Sequence, residues 1–584
     1  MTANKQTMQP GKNLLLPIMA GLFVLSWSLV FWRPLFALPL IALSSVLLAW
    51  GLVQKDLEPA FMKIAAFLLP FSTPLPFLQE SMIRIPTEPM IGLAILMLPL
   101  YLLKTQRRGS KPAWKEAAIV LPLFGAYLLS TLFSEMPVVS IKFTFVNIAY
   151  ILVFYILLLH LYRQHNNLFA EMIKLYGIGF LLVFLWSLYQ YHTYGWNPVV
   201  VRGIFRPFYN DHTIFGAAAA MLAVLAAGTG MRRKSLPGLI TGVGAMFLFM
   251  IAVLYSTSRG AMLSLVFAGL VAVIMVLRPR PVIVGGGLIL LLLTGLVFYP
   301  GIRDRIQDTS VVSYYHDADH RGPDSPGVDD SIDVSSVERV NRWISAWRMF
   351  RERPLTGFGP GTYQFTYIPY QEERLMTRLT VTDPQNPPEG SGGTAHSEYF
   401  LLLSETGIPG LLAFLLIIGR WSWLASRSWL ATRRLATGQW LATRRLATGQ
   451  RLATRQKSTT RPSVTTGRWL ATGRWLAARA VLATRSWRSH PKRKDMAFAL
   501  VALSTYFFHA LVNNFLTTDK FAFLFWGTAA WLLASYDQEG KTGKQEGRMG
   551  KQDGSMEKQE GHTKGTEPWP GNAMASKKKT GQCN

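Results

Sequence analysis

The sequence predicts an all-α polytopic integral membrane protein, with about 12–14 transmembrane helices and one large extracytoplasmic loop containing amphipathic helices. Three observations carry that reading. Half of the 584 residues are hydrophobic and the mean hydropathy is +0.22. The apolar residues come in blocks of about 18–22, enough to cross roughly 30 Å of hydrocarbon. Basic loops recur on one side of those blocks, the usual sign of charge sorting across a bilayer.

In chain order, spans are expected near residues 13–32, 34–53, 59–79, 87–103, 116–133, 144–162, 173–191, 213–230, 236–255, 260–277, 282–300, 407–425, 497–515 and 521–536. NLLLPIMAGLFVLSWSLVFW, from Asn13, is typical. It is too long, and too closely followed by others, for a cleaved signal peptide. The third span holds Pro70, Pro74 and Pro76 and is expected to be broken or re-entrant. This divides the chain into an N-terminal transmembrane bundle (1–300), an extracytoplasmic loop (301–406), a span (407–425), a basic repeat-rich insert (426–496), two C-terminal spans (497–536) and a tail (537–584).

The net charge of +27 raises nucleic acid as a partner, but its distribution argues against that. KTQRRGSKPAWK from Lys104, MRRKS from Met231 and RPRP from Arg278 fall on one side if the N-terminus is cytoplasmic. Arg420 to Lys494 joins them, with 18 Lys/Arg and no Asp/Glu. The excess is therefore a positive-inside signal with affinity for anionic lipid. Within it, WLATRRLATGQ from Trp429 is repeated unchanged from Trp440, which reads as duplicated coding sequence. The tail, with its KQEG and KQDG units, reads as disordered and cytoplasmic. The single cysteine, Cys583, excludes an intrachain disulfide and a cysteine metal site.

The opposite side receives the loop HTYGWNPVVVRGIFRPFYNDH from His192, the turn STSRG from Ser256, the long segment from Gly301 and the link LTTDK near Thr517. The segment from Gly301 to Ala395 has 14 acidic and 10 basic residues. Its second half, SSVERVNRWISAWRMFRERP, reads as an amphipathic helix capped by Ser335 or Ser336, with Val340, Trp343, Ile344, Trp347 and Phe350 at helical spacing. The spans are nearly free of charge: Lys63, Lys174 and Arg33 sit near span ends, and His509 and Asn513 lie toward the outer end of the thirteenth. Ionisable groups that collect at the outer surface favour an interfacial site over a transport path.

Arg259 lies in the tight STSRG turn, where arginine is disfavoured. Two readings are open: a snorkelling or helix-capping arginine, or an anion site whose fork matches phosphate oxygens. Arg202 and Arg206 offer the same chemistry one loop earlier. His396 and Glu398 open HSEYFLLLSETGIPG, in which Glu398 and Glu405 share a helical face. They read either as the polar face of an interfacial helix or as a general base with its partner. GFGPG lacks the GK[ST] of a phosphate-binding loop, and STSRG is not a nucleophile elbow. HDADH, from His316, has metal-ligand types but sits in a loop-like stretch, and no metal or other cofactor is expected.

STSRGAMLSLVFAGL, RWISAWRMFRERPLTGFGPGTY and AHSEYFLLLSETGIPGLLAFL, in that order, resemble the O-antigen ligase and polymerase-like family of bacterial envelope glycan enzymes. RPFYNDHTIFGA from Arg206 resembles that family's earlier arginine loop. The resemblance spans roughly residues 200–420 and implies a glycosyltransferase of the inner membrane, with both termini cytoplasmic. Its donor would be an undecaprenyl-diphosphate-linked glycan and its acceptor lipid A–core or another envelope hydroxyl, with no nucleotide. By motif position, Arg259 and Arg206, with Arg202 in reserve, would hold the diphosphate, and His396 with Glu398 would serve as base or position the acceptor. A polymerase extending the carrier-linked glycan and a protein O-glycosyltransferase are the alternatives within this chemistry. A flippase or other transporter is the alternative outside it.

Overall fold

The computed structural model describes residues 11–29, 34–77, 81–109, 113–197, 200–201, 203–232, 235–277, 334–377, 379–383, 386, 393–455 and 491–539, with 429–455 described by backbone alone. Arg202, the expected span near 282–300, the HDADH loop, about half of the basic insert and most of the tail lie outside these residues. The chain divides at Tyr536 into the units Met1–Tyr536 and Asp537–Asn584, and the helical bundle belongs to the first.

Its helices are α1 (Gly11–Leu29), α2 (Pro34–Gln54), α3 (Glu58–Leu68), α4 (Thr87–Arg107), α5 (Trp114–Leu132), α6 (Pro137–Gln164) and α7 (Leu168–Thr193). They continue as α8 (His212–Arg232), α9 (Leu236–Tyr255), α10 (Arg259–Leu277), α11 (Val334–Glu352), α12 (Glu398–Arg455), α13 (Pro491–His509) and α14 (519–536 within this unit). Among the described residues, nine helices are long and apolar enough to cross a membrane. A helix bonds its own backbone, which is what hydrocarbon requires. This is a multi-pass membrane protein.

The third expected span differs from its prediction. The α3 helix and a following 3-10 turn (Leu69–Phe71) end the helical run early, and Thr73–Phe77 then pairs antiparallel with Ser81–Ile85. Pro74 and Pro76 cannot donate to a ladder, so this stretch suits the edge of a two-stranded ribbon better than a helix. The expected cap of α11 also moves: the helix already includes Val334, so Ser335 and Ser336 lie in its first turn.

The bundle has a clear centre. In α14 nearly every residue from Phe521 to Ala534 is buried, and so is most of α8 from Phe215 to Ala227. Small residues let α8 approach its neighbours: a Cβ on Gly230 would stand 2.5 Å from the Gly242 Cα of α9, and one on Gly216 would stand 2.5 Å from Ser256 Oγ. By contrast, α9 and α10 leave Ile240, Phe247, Val266 and Leu270 exposed, the faces expected to meet lipid.

The two ends of the bundle differ in chemistry. One end carries Lys104, Arg108, Arg232 and Lys492. There Arg232 and Lys492 both bond Asn166, at 2.9 and 3.2 Å, and tie α8 and α13 to the α6–α7 link. The other end carries the hairpin, the 194–211 loop, the Ser256 turn and α11. Lys520 joins its parts by donating to Ser72 O at 2.7 Å and to Phe208 O.

Candidate active site

The loop-rich end is framed by two turns that interlock. After α11 the chain makes the 357–361 turn, in which Gly357, Gly359 and Gly361 all have positive φ. A Cβ on Gly357 would stand 2.3 Å from the Glu405 backbone, and one on Gly359 would stand 2.1 Å from Ser134 Oγ. Only glycine meets both demands. The turn docks on α12: Phe358 N–H donates to Ser404 O (3.1 Å) and Gly359 N–H to Glu405 O (2.9 Å). The Glu405 carboxylate accepts from Tyr363 N–H at 3.1 Å. Because those carbonyls are taken, α12 breaks at Gly407 (φ 66°, ψ −165°), and Ile408 N–H donates to Pro354 O at 2.8 Å. GFGPG and the Glu-Thr-Gly segment are thus two halves of one joint. Glu405 is a buried strut of that joint.

Glu398 is buried at the start of α12. Its Oε2 accepts from Tyr506 Oη at 2.6 Å, and the backbone of Leu516 and Phe515 points hydrogen bonds at the same carboxyl. Its own N–H donates to Ala510 O at 2.9 Å. The residue therefore clamps α12 to the end of α13 and the 510–517 link.

His396 sits just ahead of that clamp, partly buried, with φ +48°. Its carbonyl accepts from Trp343 Nε1 at 3.4 Å, and its ring hydrogen-bonds the side chain of Asn513. Desolvation, then the guanidiniums of Arg342 and Arg339, push the imidazole down to about 3, against the opposing pull of Asp211 and Asn513. It is neutral at pH 7.

The arginines facing it come from α11. Arg342 is 1% exposed: its Nε bonds Glu338 at 2.8 Å and its Nη1 bonds Thr394 O at 2.8 Å. Its Nη2 is buried with no hydrogen-bond partner. The buried face of α11 is Glu338, Asn341, Arg342, Ser345, Ala346 and Met349. The apolar stripe picked out by helical spacing lies on the other side, with Trp347 47% exposed. The buried polar groups of α11 bond the segment that follows it: Glu338 accepts from Thr377 and Thr380, and Asn341 Oδ1 accepts from Glu372 N–H at 2.7 Å, while Trp343 on the other side stacks on Phe400.

Arg259 is exposed at the first position of α10. The next residue, Gly260, lies so close to His509 that a Cβ there would stand 3.3 Å from its Cε1 and Nε2. His509 in turn accepts from Asn513 Nδ2 at 2.9 Å. Arg259 and His396 therefore flank one short chain of contacts. Arg206 is exposed on the same end, its carbonyl bound by Trp186 Nε1 at 3.2 Å, with no contact to His396 among the described residues. Five residues on, Asp211 starts α8 by accepting from Thr213 N–H (2.8 Å) and Thr213 Oγ1 (2.6 Å). Burial pushes the Asp211 carboxyl up, but hydrogen bonds from His212 and Thr213 and the His212 charge hold it well below the usual range.

Sequence reasoning brought His396 and Arg259 to one place and missed Arg339, Arg342 and Asp211. The available signal was Glu338 and Arg342 at i,i+4 on the face of α11 opposite the tryptophans. Among the described residues no group of three or more His, Cys, Asp or Glu is placed to hold a metal.

Residues 244–415 match the O-antigen ligase family, a span that runs from α9 through the Ser256 turn, α11 and the 357–361 turn into α12. Members of that family are ligase- and polymerase-type membrane enzymes acting on lipid-linked glycans. No curated protein matches the chain.

Proposed function

We propose that this protein is an O-antigen ligase-like glycosyltransferase of the bacterial inner membrane. It moves a glycan from undecaprenyl diphosphate to an acceptor hydroxyl, lipid A–core or another envelope acceptor, at the outer face. The observation that carries the reading is the neutral His396 imidazole set among Arg339, Arg342 and the Arg259 end of α10, within the matched family segment. The outward orientation of this end is supported by the lysines and arginines gathered at the other, which leaves both termini cytoplasmic.

In this mechanism the acceptor hydroxyl attacks the anomeric carbon. The bond from that carbon to the diphosphate oxygen breaks, and undecaprenyl diphosphate leaves with the electron pair. His396 takes the hydroxyl proton. Arg259 and Arg206, with Arg202 in reserve, hold the diphosphate and stabilise the charge it gains. The anionic donor also offsets the guanidiniums that depress His396, so the base strengthens as substrate arrives. Glu398 acts beside His396 by fixing the backbone that presents it.

The test is a gel of envelope glycolipids from a deletion strain complemented with wild type, Arg259→Ala or His396→Ala. Polymer lost from lipid A–core but retained on the carrier means ligase. Single repeat units still on the core mean polymerase, the alternative reading. Wild-type patterns from both variants would refute the site.

A further inference from the structure

We propose that Arg342 of α11 is the positioning residue for His396: its guanidinium holds the backbone two residues ahead of the imidazole through Thr394 O, and Glu338 holds the guanidinium. This deepens the reading of His396 as base and rests on it.

The segment from Thr394 to Glu398 is strung between two helices. On one side Arg342 Nη1 donates to Thr394 O at 2.8 Å and Trp343 Nε1 donates to His396 O at 3.4 Å. Neighbouring residues of α11 thus take the carbonyls on either side of Ala395. On the other side Ser397 Oγ and Glu398 N–H donate to Ala510 O, at 3.2 and 2.9 Å, just past the end of α13. Between these anchors His396 has φ +48°. A left-handed backbone is costly for a residue with a Cβ, and it persists where the surroundings fix both flanks.

Arg342 is itself held from behind. Its Nε donates to Glu338 Oε1 at 2.8 Å. The other carboxylate oxygen, Oε2, accepts from Thr380 Oγ1 at 2.8 Å and from Thr377 Oγ1 at 3.2 Å. The Arg342 carbonyl accepts from Tyr363 Oη at 2.8 Å, and its Cζ stands 5.5 Å from the Tyr367 ring centroid.

Arg342 and Glu338 are 1% and 4% exposed. A buried ion pair is a poor device for docking a helix, because desolvation offsets the attraction and apolar side chains of similar volume do as well or better. Arg342 Nη2 is also buried with no hydrogen-bond partner, a further cost. What an apolar side chain cannot do is bond the Thr394 carbonyl. The pair makes sense through the segment that presents His396.

The full-length protein in lipid nanodiscs, with a synthetic undecaprenyl-diphosphate-linked oligosaccharide as donor, provides the test. NMR of histidine labelled in backbone and ring, assigned by loss of signals in His396→Gln, reads the left-handed conformation of His396 from its backbone carbon shifts. The double variant Glu338→Gln/Arg342→Met leaves neither partner as an unpaired buried charge, so its melting temperature should stay close to wild type. Its His396 shifts should leave the left-handed range. Its kcat should fall by about 100-fold, with donor Kd within about twofold of wild type. A residue that only docks α11 would give neither the shift nor that split. Arg342→Lys keeps the charge but not the planar fork that spans Glu338 and Thr394 O, and its kcat should fall about tenfold with the same split. If the double variant fails to fold, Arg342→Lys decides the question, and wild-type shifts and kcat there overturn the proposal. Unchanged His396 shifts in a folded double variant overturn it too, as does wild-type kcat while His396→Gln is inactive. If His396→Gln retains full turnover, the base role falls, and shifts that still move in the double variant uphold the positioning contact.

Discussion

Both ends of this bundle are rich in charge, yet they use it differently. At the basic end exposed and buried pairs mix: Arg108 and Asp56 meet at 2.8 Å and Lys63 meets Glu171 at 3.2 Å, all four side chains a third or more open to solvent, while Lys104 and Arg232 reach the buried carboxylates of Glu58 and Asp495. At the loop-rich end the polar groups are buried and bonded to backbone: Arg342 to Thr394 O, Glu405 to Tyr363 N–H, Glu398 to the 515–516 backbone. Exposed charge can decide which way a chain crosses the bilayer without fixing any geometry. Buried, backbone-bonded charge must have a geometry, because a misplaced partner leaves a desolvated group unsatisfied. A site for group transfer needs the second kind.

That contrast can be tested in graded steps. The largest effect is expected at the chemistry. His396→Ala should cut polymer transfer by roughly 10²–10⁴, with Arg259→Ala in the same direction, read on the complemented glycolipid gel. Because His396 is held near 3 in the free enzyme, its neutral form should persist at pH 5, so kcat/KM should not fall between pH 7 and 5 on its account. The linked stability has the matching sign. A depressed imidazole adds stability that is complete above its ordinary value near 6.5 and is lost as pH falls toward 3.

Next comes the joint. Gly359→Ala places a Cβ 2.1 Å from Ser134 Oγ in a left-handed backbone. Strain and overpacking together should cost roughly 2–6 kcal/mol, read by thermal melting in detergent. Gly244→Ala, with nothing within 4 Å, is the control and should be silent or mildly stabilising. Third is the clamp. Tyr506→Phe removes the hydroxyl that bonds Glu398 at 2.6 Å and should cost about 1–3 kcal/mol in the same assay. The smallest effect belongs to the basic end. Arg108→Ala should leave the melting temperature essentially unchanged. The hydrogen bonds of Arg108 and Lys104 hold Asp56 down at about 2, so what the cluster contributes is present at neutral pH and fades as pH falls through that value. An Arg108 variant as damaging as the Gly359 one would erase the distinction between the ends.

The legibility of the chain divides in the same way. Span lengths and the sidedness of basic loops were readable because hydrocarbon thickness and charge sorting act on each segment separately. The broken third span was readable from Pro70, Pro74 and Pro76, though the hairpin that replaces its second half was not, since a two-stranded ribbon is defined by its pairing. In the loop segment the helix α11 was readable and its buried face was not. Helical spacing identifies a stripe but does not say whether a protein core or a membrane interface will meet it.

The order of residues is enough to make this a multi-pass membrane protein, to sort its basic loops to one end, and to stand His396 and Arg259 at the other. What those residues touch had to come from the packed fold. Glu398 meets Tyr506 from a helix 108 positions away, and Glu405 meets the 361–363 turn from across the loop. Such contacts depend on helices packing to within a few ångströms, a distance set by glycines such as Gly216, Gly260 and Gly359 and by the whole bundle around them. Local pattern carries the cost of crossing a membrane residue by residue. The partner of a buried polar group is settled only when every neighbouring helix is in place.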